Sequence, residues 1–462
     1  MTIKSDYGWP RPLGFTPFDH QKETAEFLSL RRRAFCFNEQ GTGKTASVIW
    51  AADYLMAKGR INRVLIICPL SIMLASWQSD LFKFAVHRTV DIAYGSSDKR
   101  KKIVNGNARF VIINYDGVAS VFEELKNGGF DLVVVDEANA YKNVQTKRWK
   151  MLRKIISPKT GLWMLTGTPA AQSPVDAFGL GKMCVPDRTP IFFGDFRVSV
   201  MEQYSMYKWA PRPEAKQIVF DMLQPAIRFE KSQCLDLPPV TYMTRVAPMT
   251  PEQKQYYAEL KEKMLLEFSP DEAVSAVHAA AKMNKLLQIS GGAVYTDAGD
   301  VIKFDVSNRL NVIQEVIEEA SNKVLIFVPF THTIQLVSEH LTKAGITNEI
   351  VDGSVSMTKR TQVFKAFQEQ ADPRVLIIQP QAAAHGVTLT AADTVIWYAP
   401  LPSVETYLQA NARIDRPGQK NPMTVFHIQG SPIENKVYAM LQGNISNHEQ
   451  IVNLYKNELA NT

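Results

Sequence analysis

Asn38-Glu-Gln-Gly-Thr-Gly-Lys-Thr45 lies between a short apolar run, Ala34–Phe37, and a helix-like stretch, Ala46–Met56. A strand, a glycine-rich turn and a helix opening on Gly-Lys-Thr form a cradle for phosphate. Gly41 and Gly43 let the backbone curl until its N–H groups converge on phosphate oxygens, and the helix N-terminus adds its positive dipole end. Lys44 supplies a point charge for the β- and γ-phosphates, and the Thr45 hydroxyl suits a Mg²⁺ position. ATP with Mg²⁺ is therefore the expected ligand pair, with Gly41, Thr42, Gly43, Lys44 and Thr45 around it. Asn38 stands where the general pattern has its first glycine.

The chain around this loop reads as α/β. Short, β-branched runs recur at Arg63–Cys68, Phe110–Asn114, Asp131–Asp136 and Trp163–Thr166. They recur again at Lys323–Val328, Arg374–Gln379 and Thr394–Tyr398. Runs below eight residues, spaced by helix-like stretches, predict buried strands of parallel sheets flanked by helices. At 462 residues the chain is too long for one ordinary core. The expected organisation is two α/β lobes, 1–185 and 300–430, a helical insertion over 186–299, and a helical tail over 431–462. Asp271–Leu287 carries the clearest helical periodicity of the insertion.

Asp131–Asp136 ends in Asp136-Glu137, two carboxylates at the carboxyl end of an apolar strand, where ligands bind in open parallel sheets. Asp136 is placed to share Mg²⁺ with Thr45, and Glu137 to polarise an attacking water as general base. Far along the chain, Gln409-Ala-Asn-Ala-Arg413-Ile-Asp-Arg416 offers two arginines three residues apart. That spacing predicts one face of a helix beginning near Ser403, with Gln409 one turn earlier. Positive charge from such arginines would meet the charge developing on the transferred phosphoryl group. Because they come from the other lobe, hydrolysis would require lobe closure.

Composition narrows the alternatives. Hydrophobic residues make up 45% and charged residues 21%, the balance of a globular enzyme. No apolar stretch is long enough to span a membrane, and the first residues lack a signal-peptide layout. Cytoplasmic localisation in a bacterium or virus, or nuclear localisation in a eukaryote, is expected rather than secretion. Cys36, Cys68, Cys184 and Cys234 lie far apart and read as reduced thiols. The net charge of +6 permits a polyanionic partner without demanding one. Basic runs at Arg31–Arg33, at Lys99–Lys102 and from Lys147 through Arg148, Lys150 and Arg153 to Lys154 read singly as solvated faces.

Asp136-Glu-Ala-Asn139 followed by Tyr-Lys-Asn143 resembles the DEAH-box stretch of superfamily 2 helicases, in particular the Swi/Snf-type DNA translocases. The other motifs come in family order. Asp19-His-Gln21 resembles the motif that reads adenine, which implies Gln21 as a nucleotide contact. Cys68-Pro-Leu-Ser71 with Trp77-Gln78 resembles motif Ia, Asn114-Tyr115-Asp116 motif Ib, and Leu165-Thr-Gly-Thr-Pro169 motif III. Arg228 to Lys231 with Leu237-Pro-Pro239 resembles the stretch leading to the second lobe. Gly386-Val-Thr-Leu-Thr390 with Ala392-Asp393 resembles motif V, and Gln409 to Gln419 resembles motif VI. The resemblance implies two RecA-like lobes, Gly386 at the nucleotide, and a monomeric motor translocating on double-stranded DNA to remodel it or displace bound proteins. It also implies phosphate-backbone contacts without sequence reading, at Ser71, Tyr115, Lys142, His332 and Thr388. Asn139 departs from the family's histidine, which typically links the ATP site to motif III; asparagine can hydrogen-bond there but not titrate. Two alternatives stay open: a strand-separating helicase on RNA or DNA, and a catalytically inactive nucleic-acid-binding adaptor.

Overall fold

The computed structural model describes residues 3–70, 72–170, 173–205, 208–234, 238–266, 276–295, 300–383 and 387–443. The chain divides into two compact units, Met1–Asp236 and Leu237–Thr462.

The first unit holds six of the seven strands of its main sheet before residue 166: β1 Arg33–Cys36, β2 Val64–Cys68, β3 Val90–Ile92, β4 Phe110–Asn114, β5 Leu132–Val135 and β6 Gly161–Leu165. A hairpin, β7 Met201–Ser205 and β8 Lys208–Pro211, stands apart, and β9 Ala226–Ile227 completes the sheet. The order is β3-β4-β2-β5-β6-β1-β9, all neighbours parallel. Burial explains why the sequence takes this form. β2, β4, β5 and β6 are covered on both faces, so each reads as a continuous run of Val, Ile, Leu and other apolar residues rather than an alternation. Successive side chains nonetheless divide between two cores. Ile66, Ile112 and Val134 face the helices Asp19–Ser29 and Lys44–Ala57, while Leu65, Val111 and Val133 face the helices that follow β4, β5 and β6. Each such side chain contributes about 1.5–3 kcal/mol of burial.

The second unit repeats the design. A small hairpin, β11 Ala293–Tyr295 and β12 Val301–Lys303, follows β10 Val240–Val246. The main strands continue as β13 Lys323–Phe327, β14 Asn348–Val351, β15 Val375–Ile378, β16 Ala392–Trp397 and β17 Met423–Gln429. Their order is β10-β17-β16-β13-β15-β14, again wholly parallel.

The stretch 186–299 is divided between the two units instead of standing apart. Its part up to Cys234 holds helices, a hairpin and β9, and belongs to the first unit; its part from β10 onward belongs to the second. Helix Ala276–Gly291 takes up most of the periodic segment 271–287, whose first residues lie outside the described ones. In the tail, Pro432–Leu441 is helical, held by a capping box between Ser431 and Glu434, and residues beyond 443 lie outside the described ones. No helix among the described residues is long and apolar enough to cross a membrane.

Candidate active site

In the first unit the carboxyl ends of β5, β6 and β1 lie side by side, so the segments leaving them converge. Gly41 and Gly43 take φ of 86° and 78°, the left-handed turn that a Cβ disfavours. A Cβ at Gly43 would sit 2.0 Å from Gln21 Nε2, so glycine is required there on space as well as conformation. Gly43 then caps helix Lys44–Ala57, whose free N–H groups open toward the loop. Lys44 Nζ donates to the carbonyls of Asn38 at 2.7 Å and Glu39 at 3.1 Å, bridging the loop.

The loop is braced from three sides. Asn38 is buried; its amide donates to Thr24 Oγ1 at 2.8 Å and accepts from Phe229 N at 3.0 Å. Thus the departure from the usual glycine ties the loop to helix Asp19–Ser29 and to the segment after β9. Gln21 is also buried. It accepts from Phe18 N at 3.0 Å and donates to Thr42 O at 3.5 Å, while His20 shares a 2.8 Å hydrogen bond with the same carbonyl. Arg228 donates to the carbonyls of Phe37 and Gly167 and pairs with Glu39 at 3.3 Å.

Asp136 follows β5 and is buried, with Oδ2 accepting from Trp77 Nε1 at 2.9 Å and Oδ1 from Glu137 N at 2.9 Å. Glu137 takes φ 46°, a strained left-handed conformation for a residue with a side chain. The strain turns its carboxylate back toward the phosphate loop, where Gln40 Nε2 donates to Oε1 at 3.3 Å. Neither Trp77 as a partner of Asp136 nor Gln40 as a partner of Glu137 was legible in the sequence, since each bond closes only on folding. Burial pushes the Cys36 thiol up to about 11, with Lys44 opposing and Asp136 adding to the rise, so both charges act on one point in the sheet.

Asn139 donates to Thr168 O at 2.8 Å and to Thr168 Oγ1 at 3.2 Å, so the link to the segment after β6 exists without a titrating group. Tyr115 turns its hydroxyl inward onto Asp136 O at 2.5 Å and Glu137 O at 3.2 Å. Burial beside the two carboxylates raises that phenol well above its ordinary range. Lys142 pairs with Asp176 at 3.1 Å. Thr45 is half-buried at the helix start, and Ser71 lies outside the described residues.

In the second unit, Ser403 caps a helix as expected, but that helix ends at Asn411. Arg413 and Arg416 therefore lie in the turns after it and not on one helical face. The reason is local: Arg413 folds its buried guanidinium back onto Gln409 O at 3.1 Å, and Pro417-Gly418 follows, with Gly418 at φ 102°. Arg416 instead donates to Val387 O at 3.2 Å and Thr388 Oγ1 at 3.0 Å, which joins it to motif V. Gln409 donates to Glu405 at 3.3 Å. Gly386 and His385 lie outside the described residues, and His332 packs its ring 4.8 Å from that of Tyr295.

Residues 20–294 match the model of the SNF2-related domain. This chain belongs to the SNF2-related family. Residues 308–418 match the helicase conserved C-terminal domain, so the SNF2-related chain carries both halves of a Snf2-type, helicase-like ATPase. It is 27% identical over 85% of its length to an uncharacterized ATP-dependent helicase of Mycoplasma genitalium, covering 37% of that protein. It is 24% identical over 91% of its length to chromodomain-helicase-DNA-binding protein 1-like of Danio rerio, covering 42% of it. An ATP-dependent DNA helicase of Arabidopsis thaliana is 26% identical, with 87% of this chain and 56% of that one covered. The SNF2-related chain thus spans roughly half, or less, of each of these relatives. Among solved structures it is similar to the Sulfolobus solfataricus SWI2/SNF2 ATPase core in complex with dsDNA, at 22% identity and TM-score 0.46, covering 94% of this chain and 92% of that one.

Proposed function

We propose that this chain hydrolyses ATP and uses the cycle to translocate along double-stranded DNA, remodelling it or displacing bound proteins. The observation that carries the reading is the first-unit site. A phosphate loop with two left-handed glycines shares a hydrogen bond, Gln40 to Glu137, with the strained member of the acidic pair that follows β5. The loop fits a nucleotide triphosphate: its turn admits no Cβ at Gly43, and its N–H groups belong to a helix start. Thr45 and Asp136, a hydroxyl and a carboxylate, are the hard oxygen donors Mg²⁺ prefers. When bound, that ion would neutralise phosphate charge.

In this scheme Lys44 leaves the carbonyls of Asn38 and Glu39 for the phosphates. Glu137 takes the proton of the attacking water, with Gln40 holding its carboxylate in place. Gln21 and Thr42 support the loop near the base. Arg413 and Arg416 are the source of positive charge for the transferred phosphoryl group, Gln409 acts with them, and Gly386 contacts the nucleotide. Backbone phosphates of the duplex are contacted by Ser71, Tyr115, Lys142 and Thr388. DNA as the track is supported by the family and by the names of relatives that are DNA-binding or DNA helicase proteins.

The test is ATP hydrolysis without nucleic acid and then with duplex DNA, single-stranded DNA and duplex RNA, at low and moderate salt. Stimulation by duplex DNA that fades with salt is the expected result. Stimulation by single strands or RNA alone would replace translocation with strand separation, and no hydrolysis under any condition would leave a catalytically inactive adaptor or a missing activating partner.

A further inference from the structure

Of the three basic runs, the one from Lys147 to Lys154 lies on a helix beside two grooves. Helix Lys147–Ile155 carries Lys147, Lys150 and Lys154 on one face together with Met151. The opposite side is fixed: Leu152 and Ile155 are buried, and Trp149 Nε1 donates to Gly179 O at 2.9 Å. The three lysines are exposed and line a groove with Phe122 and Gln145. A second groove shares Lys147 and Met151 and runs on to Tyr115 and Asp116.

Charge around the grooves is unbalanced. Asp116 is taken by Arg148 at 3.0 Å, whose guanidinium also lies over the Tyr115 ring, and Glu124 pairs with Lys101 at 3.5 Å. Among the described residues, Lys147, Lys150 and Lys154 have no acidic partner. The helix also has no acid in its first turn, where Lys147 and Arg148 oppose the dipole. At the first turn this costs about 0.3–1 kcal/mol per charge, whereas Lys154 lies in the last turn, where the dipole favours a cation. An anion seated in the groove offsets the first-turn cost.

We propose that this lysine row is a duplex-DNA backbone site lying beyond the helicase motifs, extending the contacts that begin at Tyr115. The inference rests on the motor reading. From Lys147 to Lys154 the helix rises about 10 Å. Successive phosphates of one DNA strand advance about 3.4 Å along the duplex axis, so a rigid row of this length spans about three of them. Contacts of this kind add affinity without sequence preference. The row anchors the duplex and leaves the rate of the chemical step unchanged.

The deciding experiment compares the full chain with a Lys147→Gln, Lys150→Gln, Lys154→Gln variant, and with a control, Lys99→Gln, Lys102→Gln, that removes charge from another exposed helix. Binding to a labelled duplex is measured across a salt series, beside ATP hydrolysis with rising duplex concentration. The triple variant is expected to lower the slope of log affinity against log salt by about 0.9 for each phosphate it no longer neutralises, roughly two to three phosphates in all. The duplex concentration for half-maximal stimulation rises at least tenfold, while basal and saturated hydrolysis rates stay at the wild-type values and the control behaves as wild type. Equal slopes and equal half-maximal concentrations for the variant and the wild type would reduce the row to a solvated face, with the motor reading intact. A wild-type chain that neither binds duplex DNA nor responds to it would overturn the motor reading and this inference together.

Discussion

The loop Asn38–Thr45 and the turns around Arg413 and Arg416 are the two sources of charge for the same proposed reaction, and they are built in opposite ways. In the first unit the geometry is set by contiguous backbone: β1, two left-handed glycines and a helix N-terminus. In the second unit the two arginines follow the end of a helix and part company. Arg413 is 3% exposed and bonded back to the helix it follows, at Gln409 O, whereas Arg416 reaches a different segment at Val387 and Thr388. The cradle takes its curve from main chain, and side chains of Asn38, Gln21 and Arg228 brace it from outside. Side chains after a helix terminus take whatever the neighbouring loop offers them.

The most damaging changes should fall on the first region. Glu137→Gln is expected to keep ATP binding and lose about 10²–10⁴-fold in turnover, the range of a general base. Lys44→Ala should lose hydrolysis altogether, and weaker nucleotide binding measured by fluorescence titration would accompany it. Undiminished turnover in Glu137→Gln would remove the base assignment.

Next, the two arginines separate the functions the second region combines. Arg416→Ala should bind ATP and DNA nearly as wild type and turn over about a hundredfold more slowly, within the range of an arginine finger. Its melting temperature should stay put. Arg413→Ala should lose turnover and also unfold more easily, since Gln409 O is left without a buried partner, at a cost of about 1–3 kcal/mol. Full DNA-stimulated activity in Arg416→Ala would refute the finger role.

A third difference concerns pH and lies wholly in the second unit. His427 is buried between Tyr407 and Tyr438, with Gln442 on its other nitrogen, and burial lowers its pKa from 6.5 to about 4. The depressed value means the unfolded chain takes up the proton first. The stabilising effect is therefore complete above pH 6.5 and is lost as pH falls from there to about 4, on the order of 3 kcal/mol in total. Denaturant midpoints across that interval check it, and a His427→Gln variant should flatten the dependence.

The smallest effect is expected at Gln40. Gln40→Ala removes one hydrogen bond to Glu137, worth about 1 kcal/mol or roughly fivefold in turnover, with KM for ATP unchanged. A rise in KM for ATP without a change in turnover would make Gln40 a loop residue only.

Much of the fold was legible because buried parallel strands announce themselves as apolar runs. Phe110–Asn114 was bounded to the residue, and β2, β5, β13 and β15 to within one at each end. The strands that escaped notice lie at or next to sheet edges or carry polar residues. β10 alternates exposed Tyr242 and Thr244 with an equally solvated opposite face, and β14 holds Asn348 and Glu349. Half-solvated strands have little apolar signal to read. The division of 186–299 between the two units was hidden for a related reason: β9 and β10 are recruited by parallel partners distant in sequence.

By itself the sequence determined the phosphate loop, the acidic pair after β5 and the presence of two α/β lobes. Each follows from local rules: glycine's access to positive φ, charge at a strand end, and the period of buried residues. Only the tertiary structure decided which groups brace them. Asn38 to Phe229, Trp77 to Asp136, Gln40 to Glu137, and Arg228 to Gly167 all join segments far apart in the chain. A hydrogen bond between such segments depends on distances that no local pattern encodes, and it forms only once the sheet order has brought their strand ends together.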